Sequence, residues 1–178
     1  IPESDVLELD HAGYLEFVKG KNIVIVGSAP TVATSAVEID SSDVVVRFNH
    51  NFSGKCTDPI HKGLRTDISF FNHEQGTYLI EELGGILPAE ITWACFKNEK
   101  LALKVGAKNL NKHCRSLVSF NDMAFHGSYN MLQFIAMDLA VFPCSSIKIL
   151  HMDLMLTIPR MKGYYPQSFQ RDRDGELN

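Results

Sequence analysis

The sequence predicts one α/β domain in which a mostly parallel, Rossmann-like sheet is flanked by helices. Short runs rich in β-branched residues alternate along the chain with segments of helical spacing. Runs such as residues 22–26 carry no charge, which is typical of strands that are covered on both faces. A chain of 178 residues is long enough to bury a core of its own, so we expect a single domain over residues 1–178.

The individual elements follow from local composition. Short apolar or aromatic runs bounded by turn-forming residues predict six strands, at residues 22–26, 43–48, 67–71, 90–96, 116–120 and 146–151. Helical spacing and glycine stops predict helices at residues 5–19, 31–39, 77–83, 98–105 and 127–141. Residues 50–65, with two glycines and a proline, are expected to form a loop, and residues 160–178 a mobile lid or tail.

Composition limits the function classes. The 17 basic and 21 acidic residues give a net charge of −4, which provides no general attraction to nucleic acid or to an anionic membrane. No run is long and apolar enough to span a bilayer, and the acidic N-terminus does not resemble a signal peptide. The four cysteines form no C-x-x-C pair, and Asp172 and Asp174 lie in a charged tail. We therefore expect reduced thiols, a cytoplasmic location and no metal site.

The candidate binding residues lie where predicted strands end, because ligands of open parallel sheets bind beyond the carboxyl ends of the strands. The first strand is followed by a turn of small residues, Gly27-Ser28-Ala29-Pro30-Thr31. Backbone N–H groups in such a turn can approach an anion, although a plain strand–helix turn is the alternative. The turn lacks the G-x-G-x-x-G spacing of dinucleotide-binding proteins, which argues against an oxidoreductase.

The second strand ends in the triplet RFN. Arg47 and Asn49 are two residues apart in a strand, so we expect their side chains on one face. A cation and an amide at the same edge favour a phosphate-bearing ligand, and a nucleotide in particular. The structural alternative for Arg47 is an ion pair with Asp40, Asp43 or Asp67.

Two further groups of polar residues are placed at predicted element ends. Asn72 and His73 follow the third strand, where they can contact a ligand or take part in catalysis. His126, Gly127 and Ser128 open the long apolar helix, whose first N–H groups favour a carboxylate or a phosphate. His126 or Ser128 can equally be a simple helix cap.

The last predicted strand ends in His151 and Asp153, and the tail carries Tyr164 and Tyr165. Asp153 can orient a sugar hydroxyl or cap a turn. The two tyrosines can donate O–H groups to phosphate or pack on the surface. All four are therefore candidates for a site that includes the end of the last strand.

Two segments of the chain resemble the sialyltransferases. Residues 23–50, IVIVGSAPTVATSAVEIDSSDVVVRFNH, resemble the large motif that holds the CMP part of the donor. Residues 125–153, FHGSYNMLQFIAMDLAVFPCSSIKILHMD, resemble the small motif. Residues 63–74, GLRTDISFFNHE, fit the third strand of the bacterial enzymes. The resemblance covers roughly residues 20–165 and implies the family's variant of the GT-A fold.

The resemblance implies roles for particular residues. The first turn would hold the nucleotide, Asn49 would lie near the donor phosphate, and Asn72 would line the donor or acceptor pocket. The turn at Gly127 and Ser128 would receive the carboxylate of the sugar. The residues that match family positions are Gly27, Ser28, Pro30, Thr31, Arg47, Asn49, Asn72, Gly127 and Ser128.

The chain departs from the family pattern at several positions. Ser28 stands where the family has asparagine, and residues 125–128 stand where it has Pro-Ser-Ser/Thr-Gly, so a related acid sugar such as Kdo is an alternative donor. The paired motif cysteines of the animal enzymes are unmatched, which favours a bacterial-type enzyme. The family's general-base histidine lies downstream of the small motif. We expect it beyond Asn178, with His73, His126 or His151 as substitutes.

Together these observations predict a metal-independent inverting glycosyltransferase. It would move sialic acid or a related acid sugar from a CMP donor to a glycan hydroxyl, with no cofactor other than that donor. The expected partners are the nucleotide sugar and the glycan acceptor, with no nucleic acid and with membrane association only through a segment outside this chain. The alternative is a catalytically degenerate module of the same fold that binds a nucleotide or glycan.

Overall fold

The fold is known from a computed structural model, which describes residues 10–27, 29, 33–49, 58–117 and 131–152. The strands are β1 (Asn22–Val26), β2 (Val44–Phe48), β3 (Ile68–Phe71), β4 (Trp93–Phe96), β5 (His113–Ser116) and β6 (Ser146–Leu150). The helices are α1 (His11–Val18), α2 (Ala36–Asp40), α3 (Pro59–Lys62), α4 (His73–Glu81), α5 (Glu99–Gly106) and α6 (Met131–Ala140).

Within this part of the chain the strands form one sheet in the order β5-β4-β3-β2-β1-β6, and every neighbouring pair is parallel. The predicted fold class is therefore confirmed. The order runs in one direction from β1 to β5 and then returns to place β6 on the other side of β1. Ligands of such sheets bind at the carboxyl ends of the strands where the order reverses, which here is the end of β1.

The two faces of the sheet are covered by different helices. On one face, α1 and α6 pack against alternate residues of β1 to β4, with Tyr14 and Ile135 fully buried. On the other face, α2 packs on β1 and β2 through Ile39, while α4 and α5 pack on β3, β4 and β5. Right-handed crossovers explain this division, because the reversal of strand order moves α6 to the opposite face.

A buried ion pair attaches α6 to the edge strand β5. Arg115 Nη1 and Nη2 donate to the two carboxylate oxygens of Asp138 at 2.6 and 2.9 Å, and both side chains are completely buried. The guanidinium also lies 4.2 Å from the centre of the Tyr14 ring on α1. Because each charge neutralises the other, the core on this face tolerates two ionised groups.

The predicted strand at residues 116–120 was wrong in position. The observed strand is β5, His113–Ser116, and residues 118–120 lie outside the described part. The sequence HCRS has no apolar run, and the arginine within it is buried only because Asp138 approaches from another element. No local pattern in the sequence indicates that long-range partner.

The observed α3 and α4 also differ from the prediction, and capping explains both differences. The predicted loop at residues 50–65 contains α3, where the Asp58 side chain accepts from His61 N and a proline follows at the first helical position. The helix predicted at residues 77–83 is α4, His73–Glu81, because the Asn72 side chain accepts from Gln75 N and starts the helix earlier.

Two further sequence expectations concern the membrane and the thiols. None of the helices in the described ranges is long and apolar enough to span a bilayer. Cys95, Cys114 and Cys144 are free thiols. Burial raises the pKa of Cys114 to about 12, so this thiol stays protonated and unreactive at neutral pH.

Candidate functional site

The carboxyl end of β1 is hydrogen-bonded directly to the end of β6. Gly27 N donates to Leu150 O at 2.8 Å, and Ala29 N donates to His151 O at 3.0 Å. A Cβ atom on Gly27 would lie 2.1 Å from Met152 Sδ and 2.2 Å from His151 O, so only glycine allows the two ends to approach this closely. The N–H groups of Gly27 and Ala29 therefore bind β6 and not an anion, and the main-chain anion contact predicted for these two residues needs correction.

A buried lysine lies against the same turn. Lys62, at the end of α3, is 3% exposed, and its Nζ donates to Ala29 O at 2.6 Å and to Gly27 O at 3.2 Å. The ammonium group thus places a positive charge against the carbonyl groups of the β1 turn. Lys62 was not predicted as a site residue, because a lysine within a polar segment of the chain is usually a solvated surface residue.

Arg47 fixes the segment that carries this lysine. Its Nη2 donates to Lys62 O at 2.6 Å and to Gly63 O at 3.2 Å, and its Nε donates to Arg65 O at 3.0 Å. The half-buried guanidinium is therefore bound to main-chain carbonyls of one segment. Its role as a direct phosphate ligand stays a prediction, and its observed contacts are those of a positioning residue.

The aspartates proposed as partners of Arg47 are used elsewhere. The Asp40 carboxylate accepts from the N–H groups of Leu64 and Arg65, the Asp43 carboxylate from Asn22, and the Asp67 carboxylate from Val45 N. Each of these carboxylates joins one chain segment to another. The structural alternative for Arg47 is thus replaced by a carbonyl-binding role that the sequence did not suggest.

Asn49 is held in an unusual conformation immediately after β2. It is 4% exposed and has a φ of 51°, in the left-handed region that asparagine tolerates better than most residues. Its Oδ1 accepts from Asn72 N at 3.1 Å, which assigns Nδ2 as the other terminal atom of the amide. In the ranges the structure describes, Nδ2 makes no hydrogen bond, so an oriented donor is left at the end of β2.

The left-handed turn at Asn49 changes one sequence expectation. Strand alternation was expected to place Arg47 and Asn49 on one face, but β2 ends at Phe48 and the alternation stops there. Arg47 reaches the carbonyls near α3, whereas the Asn49 amide contacts the start of α4. The two side chains therefore act on different parts of the same edge.

His151 has a matching conformation immediately after β6. Its φ of 55° is again left-handed, and Asn49 and His151 are the two non-glycine residues of positive φ in the described ranges. The His151 Nε2 atom is buried and has no hydrogen-bond partner among the described residues. Burial and then the positive charge of Lys62 lower the pKa of His151, so its imidazole is neutral at pH 7.

A carboxylate–imidazole pair lies beside His151. The Asp58 Oδ1 atom is 2.6 Å from His61 Nδ1, and both side chains are partly buried at the start of α3. The His61 carbonyl and the Asp58 carboxylate raise the pKa of His151, whereas Lys62 lowers it. The sequence signal for this pair was D-P-x-H, in which aspartate caps a helix that begins with proline.

Asn72 and His73, which were predicted as site residues, are also placed by the structure. The Asn72 side chain caps α4 by accepting from Gln75 N at 2.8 Å, and its backbone N–H orients Asn49. His73 is exposed at the first position of α4. Asn72 thus supports the site through Asn49, and a ligand contact by either residue stays a prediction.

The remaining predicted site residues lie outside the part of the chain that the structure describes. They are Ser28, Pro30, Thr31, His126, Gly127, Ser128, Asp153, Tyr164 and Tyr165. Among the residues that are described, no group of three or more His, Cys, Asp or Glu side chains is arranged to hold a metal ion.

The arrangement at the end of β1 is called here the switch-point site and consists of Gly27, Ala29, Asn49, Lys62 and His151. In the sheet register, Val26 pairs with a residue of β2 on one side and of β6 on the other. Asn49 and His151 therefore flank the end of β1, and the Lys62 ammonium binds the carbonyls of the turn between them. The site offers an amide donor on the β2 side, a neutral imidazole on the β6 side and a nearby cation.

Comparison of the chain with protein-family models and with curated proteins found no match.

Proposed function

We propose that the chain is a metal-independent inverting glycosyltransferase that transfers sialic acid, or a related acid sugar, from a CMP donor to a glycan hydroxyl. The observation that carries this proposal is the position and orientation of the Asn49 side-chain amide. This residue occupies the motif position expected near the donor phosphate, and its amide is oriented at the end of β2 by a main-chain N–H group. The site also lies at the reversal of strand order, where nucleotides bind in sheets of this kind.

The amide of Asn49 suits a phosphate oxygen. Its Nδ2 carries two N–H donors, and a donor held in place before the ligand arrives loses little conformational entropy on binding. A hydrogen bond to a charged group contributes about 1.5–3 kcal/mol. The left-handed backbone at Asn49 stores strain of the kind that is concentrated at ligand-binding positions.

The local charge supports an anionic ligand although the chain as a whole carries a net charge of −4. Lys62 places one cation against the carbonyls of the β1 turn, and Arg47 places a second against carbonyls at and after the end of α3. Their combined potential favours a phosphate at the turn and the further negative charge that develops on CMP as it leaves.

In the proposed reaction, the oxygen of the acceptor hydroxyl forms a bond to the anomeric carbon of the sugar. The bond from that carbon to the phosphate oxygen breaks, its electron pair goes to CMP, and the acceptor proton goes to a general base. Asn49 and the nearby cations stabilise the departing phosphate, so this scheme uses no metal ion. The base is a histidine, with His73 and His126 as the candidates within this chain that are not engaged elsewhere in the scheme.

The proposal is tested by titrating CMP and CDP calorimetrically into the wild type and into Asn49→Asp. The substitution keeps an oxygen that accepts from Asn72 N, but it replaces the amide donor with a carboxylate. We expect CMP affinity to fall at least about tenfold. The matched control is Asn111→Asp, which makes the same charge change at an exposed position before β5 and should leave the affinity unchanged.

A second measurement separates catalysis from binding. Incubation with CMP-sialic acid and excess EDTA should release CMP slowly, and faster when a glycan acceptor is present. Binding of CMP without any turnover would favour the degenerate binding module. Absence of CMP and CDP binding to the wild type, or a strict requirement for a divalent metal, would contradict the proposal.

A further inference from the structure

We infer that His151 Nε2 accepts a hydrogen bond from an uncharged O–H or N–H donor on the nucleoside half of the ligand, while Asn49 binds the phosphate half. This inference rests on the proposed nucleotide-binding function and adds a recognition residue that lies on the β6 side of β1. Three observations on His151 support it: the left-handed backbone, the neighbouring charges that keep the ring neutral, and the buried Nε2 atom without a described partner.

The backbone of His151 is fixed by contacts that do not involve its side chain. Its carbonyl accepts from Ala29 N at 3.0 Å, and the preceding carbonyl accepts from Gly27 N at 2.8 Å. These bonds hold the residue at a φ of 55°, a conformation that glycine adopts without strain and histidine does not. The backbone alone would therefore be served better by glycine, and what the imidazole adds is its chemistry.

The protonation state of the ring determines what it can bind. Burial lowers the pKa of His151, and so do the positive charges of Lys62 on α3 and Arg47 on β2. The His61 carbonyl within α3 and the carboxylate of Asp58, which caps that helix, raise the pKa. The lowering contributions are larger, so the ring is neutral at pH 7. The neutral ring has one N–H group and one lone pair. The His61 carbonyl favours an N–H group on the ring nitrogen that faces it, and Nε2 has no partner among the described residues. We therefore assign the proton to Nδ1 and the lone pair to Nε2.

A buried lone pair at Nε2 selects its ligand group by chemistry. Phosphate and ionised carboxylate oxygens have no proton to donate, so they are excluded from this position. A ribose hydroxyl and the exocyclic amine of cytosine both meet the requirement. Asn49 and His151 lie beyond opposite neighbours of β1, so a nucleotide whose phosphate is at Asn49 can extend its nucleoside toward β6.

The test uses two substitutions at His151. Glycine removes the imidazole and accommodates the left-handed backbone without strain, so His151→Gly should keep the wild-type fold, which circular dichroism checks. Asparagine tolerates the same backbone and supplies a carbonyl oxygen as an acceptor, so His151→Asn should restore part of the binding. We expect CMP to bind His151→Gly roughly three- to tenfold more weakly than the wild type.

Nucleotide analogues identify the donor. CMP, 2′-deoxy-CMP, 3′-deoxy-CMP and UMP are titrated into the wild type and into His151→Gly. A deoxy analogue that loses affinity for the wild type but not for His151→Gly identifies a ribose hydroxyl. The same pattern for UMP, which has a carbonyl in place of the amine, identifies the base.

Two results would overturn the inference. One is CMP affinity of His151→Gly equal to that of the wild type. The other is that every analogue loses the same factor in both proteins, since the imidazole would then be uncoupled from the nucleoside. Failure of the wild type to bind CMP at all would instead contradict the proposed function. Normal CMP binding, weakened by Asn49→Asp but not by His151→Gly, would reject this inference alone.

Discussion

At the residue scale, Gly27 is required by space and not by its backbone torsion. Its missing Cβ allows His151 O and Met152 Sδ to approach, and this approach brings the ends of β1 and β6 together. An added methyl group has to displace main-chain atoms, because the nearest neighbour after the sulfur is a backbone carbonyl. The position therefore couples the stability of the sheet end to the shape of the switch-point site.

We expect Gly27→Ala to lower the free energy of unfolding by about 1–3 kcal/mol, the usual effect of overpacking, and to weaken CMP binding. Urea unfolding and calorimetry measure the two effects. Gly20→Ala is the comparison, since Gly20 has a φ of 68° but nothing within 4 Å of an added Cβ. That variant should lose some stability and keep its CMP affinity, and equal CMP binding by both variants would argue against the close approach as a feature of the site.

The pH dependence of stability reports the surroundings of His151. Its pKa is lowered in the folded protein by burial, Lys62 and Arg47, whereas the unfolded chain titrates near the ordinary value of 6.5. As the pH falls below 6.5, the unfolded state binds more protons than the folded state at this position, so the free energy of unfolding decreases.

We expect His151→Asn to remove this contribution. Denaturant unfolding at pH 7.5 and pH 5.5 should therefore show a smaller loss of stability on acidification for the variant than for the wild type. The other histidines are present in both proteins and cancel in the comparison. An identical loss in the two proteins would mean that the imidazole is not kept neutral by its neighbours.

At the scale of elements, α3 and the residues after it are positioned by charged side chains from other parts of the chain. Arg47 binds three carbonyls between residues 62 and 65, and Asp40 accepts from two N–H groups in the same segment. Lys62 is thereby held against the β1 turn. A helix of four residues has little stability of its own, so these contacts and its cap account for its placement.

These contacts also show why this part of the site was not predictable. The arginine in an apolar strand did indicate a buried polar partner, but carbonyl groups are present at every residue and leave no mark in the sequence. Lys62 had no signal for the same reason, since its acceptors are Gly27 O and Ala29 O. Asn49 and His151 were predictable because they are polar residues directly after predicted strands, where ligands of parallel sheets bind.

The attachment of α6 to β5 depends on the Arg115–Asp138 pair, and we expect the loss of either charge alone to destabilise the fold. Arg115→Met alone or Asp138→Leu alone should lower the free energy of unfolding by about 3–5 kcal/mol, because each leaves a buried charge without its partner. The double variant should be clearly more stable than either single variant. Additive losses in denaturant unfolding would show that the two charges do not compensate each other.

At the scale of the whole molecule, the strand order determines where chemistry can take place. Alternating strands and helices in the sequence were sufficient to predict a parallel sheet covered on both faces, and five of the six strands lie close to their predicted positions. Which strands are neighbours was not predictable, because pairing depends on the crossovers. Only the observed order shows that β6 lies beside β1 and brings His151 to the site.

The central claim is that a cytidine nucleotide binds at the carboxyl end of β1, between Asn49 and His151. The most direct test is a titration of the isotope-labelled protein with CMP, followed by NMR of the backbone amides and of the asparagine side chains. The claim predicts that the largest shifts occur at Gly27, Ala29, Asn49 and His151, including the Asn49 side-chain amide. Shifts confined to the amino ends of the strands, or no shifts at saturating CMP, would contradict it.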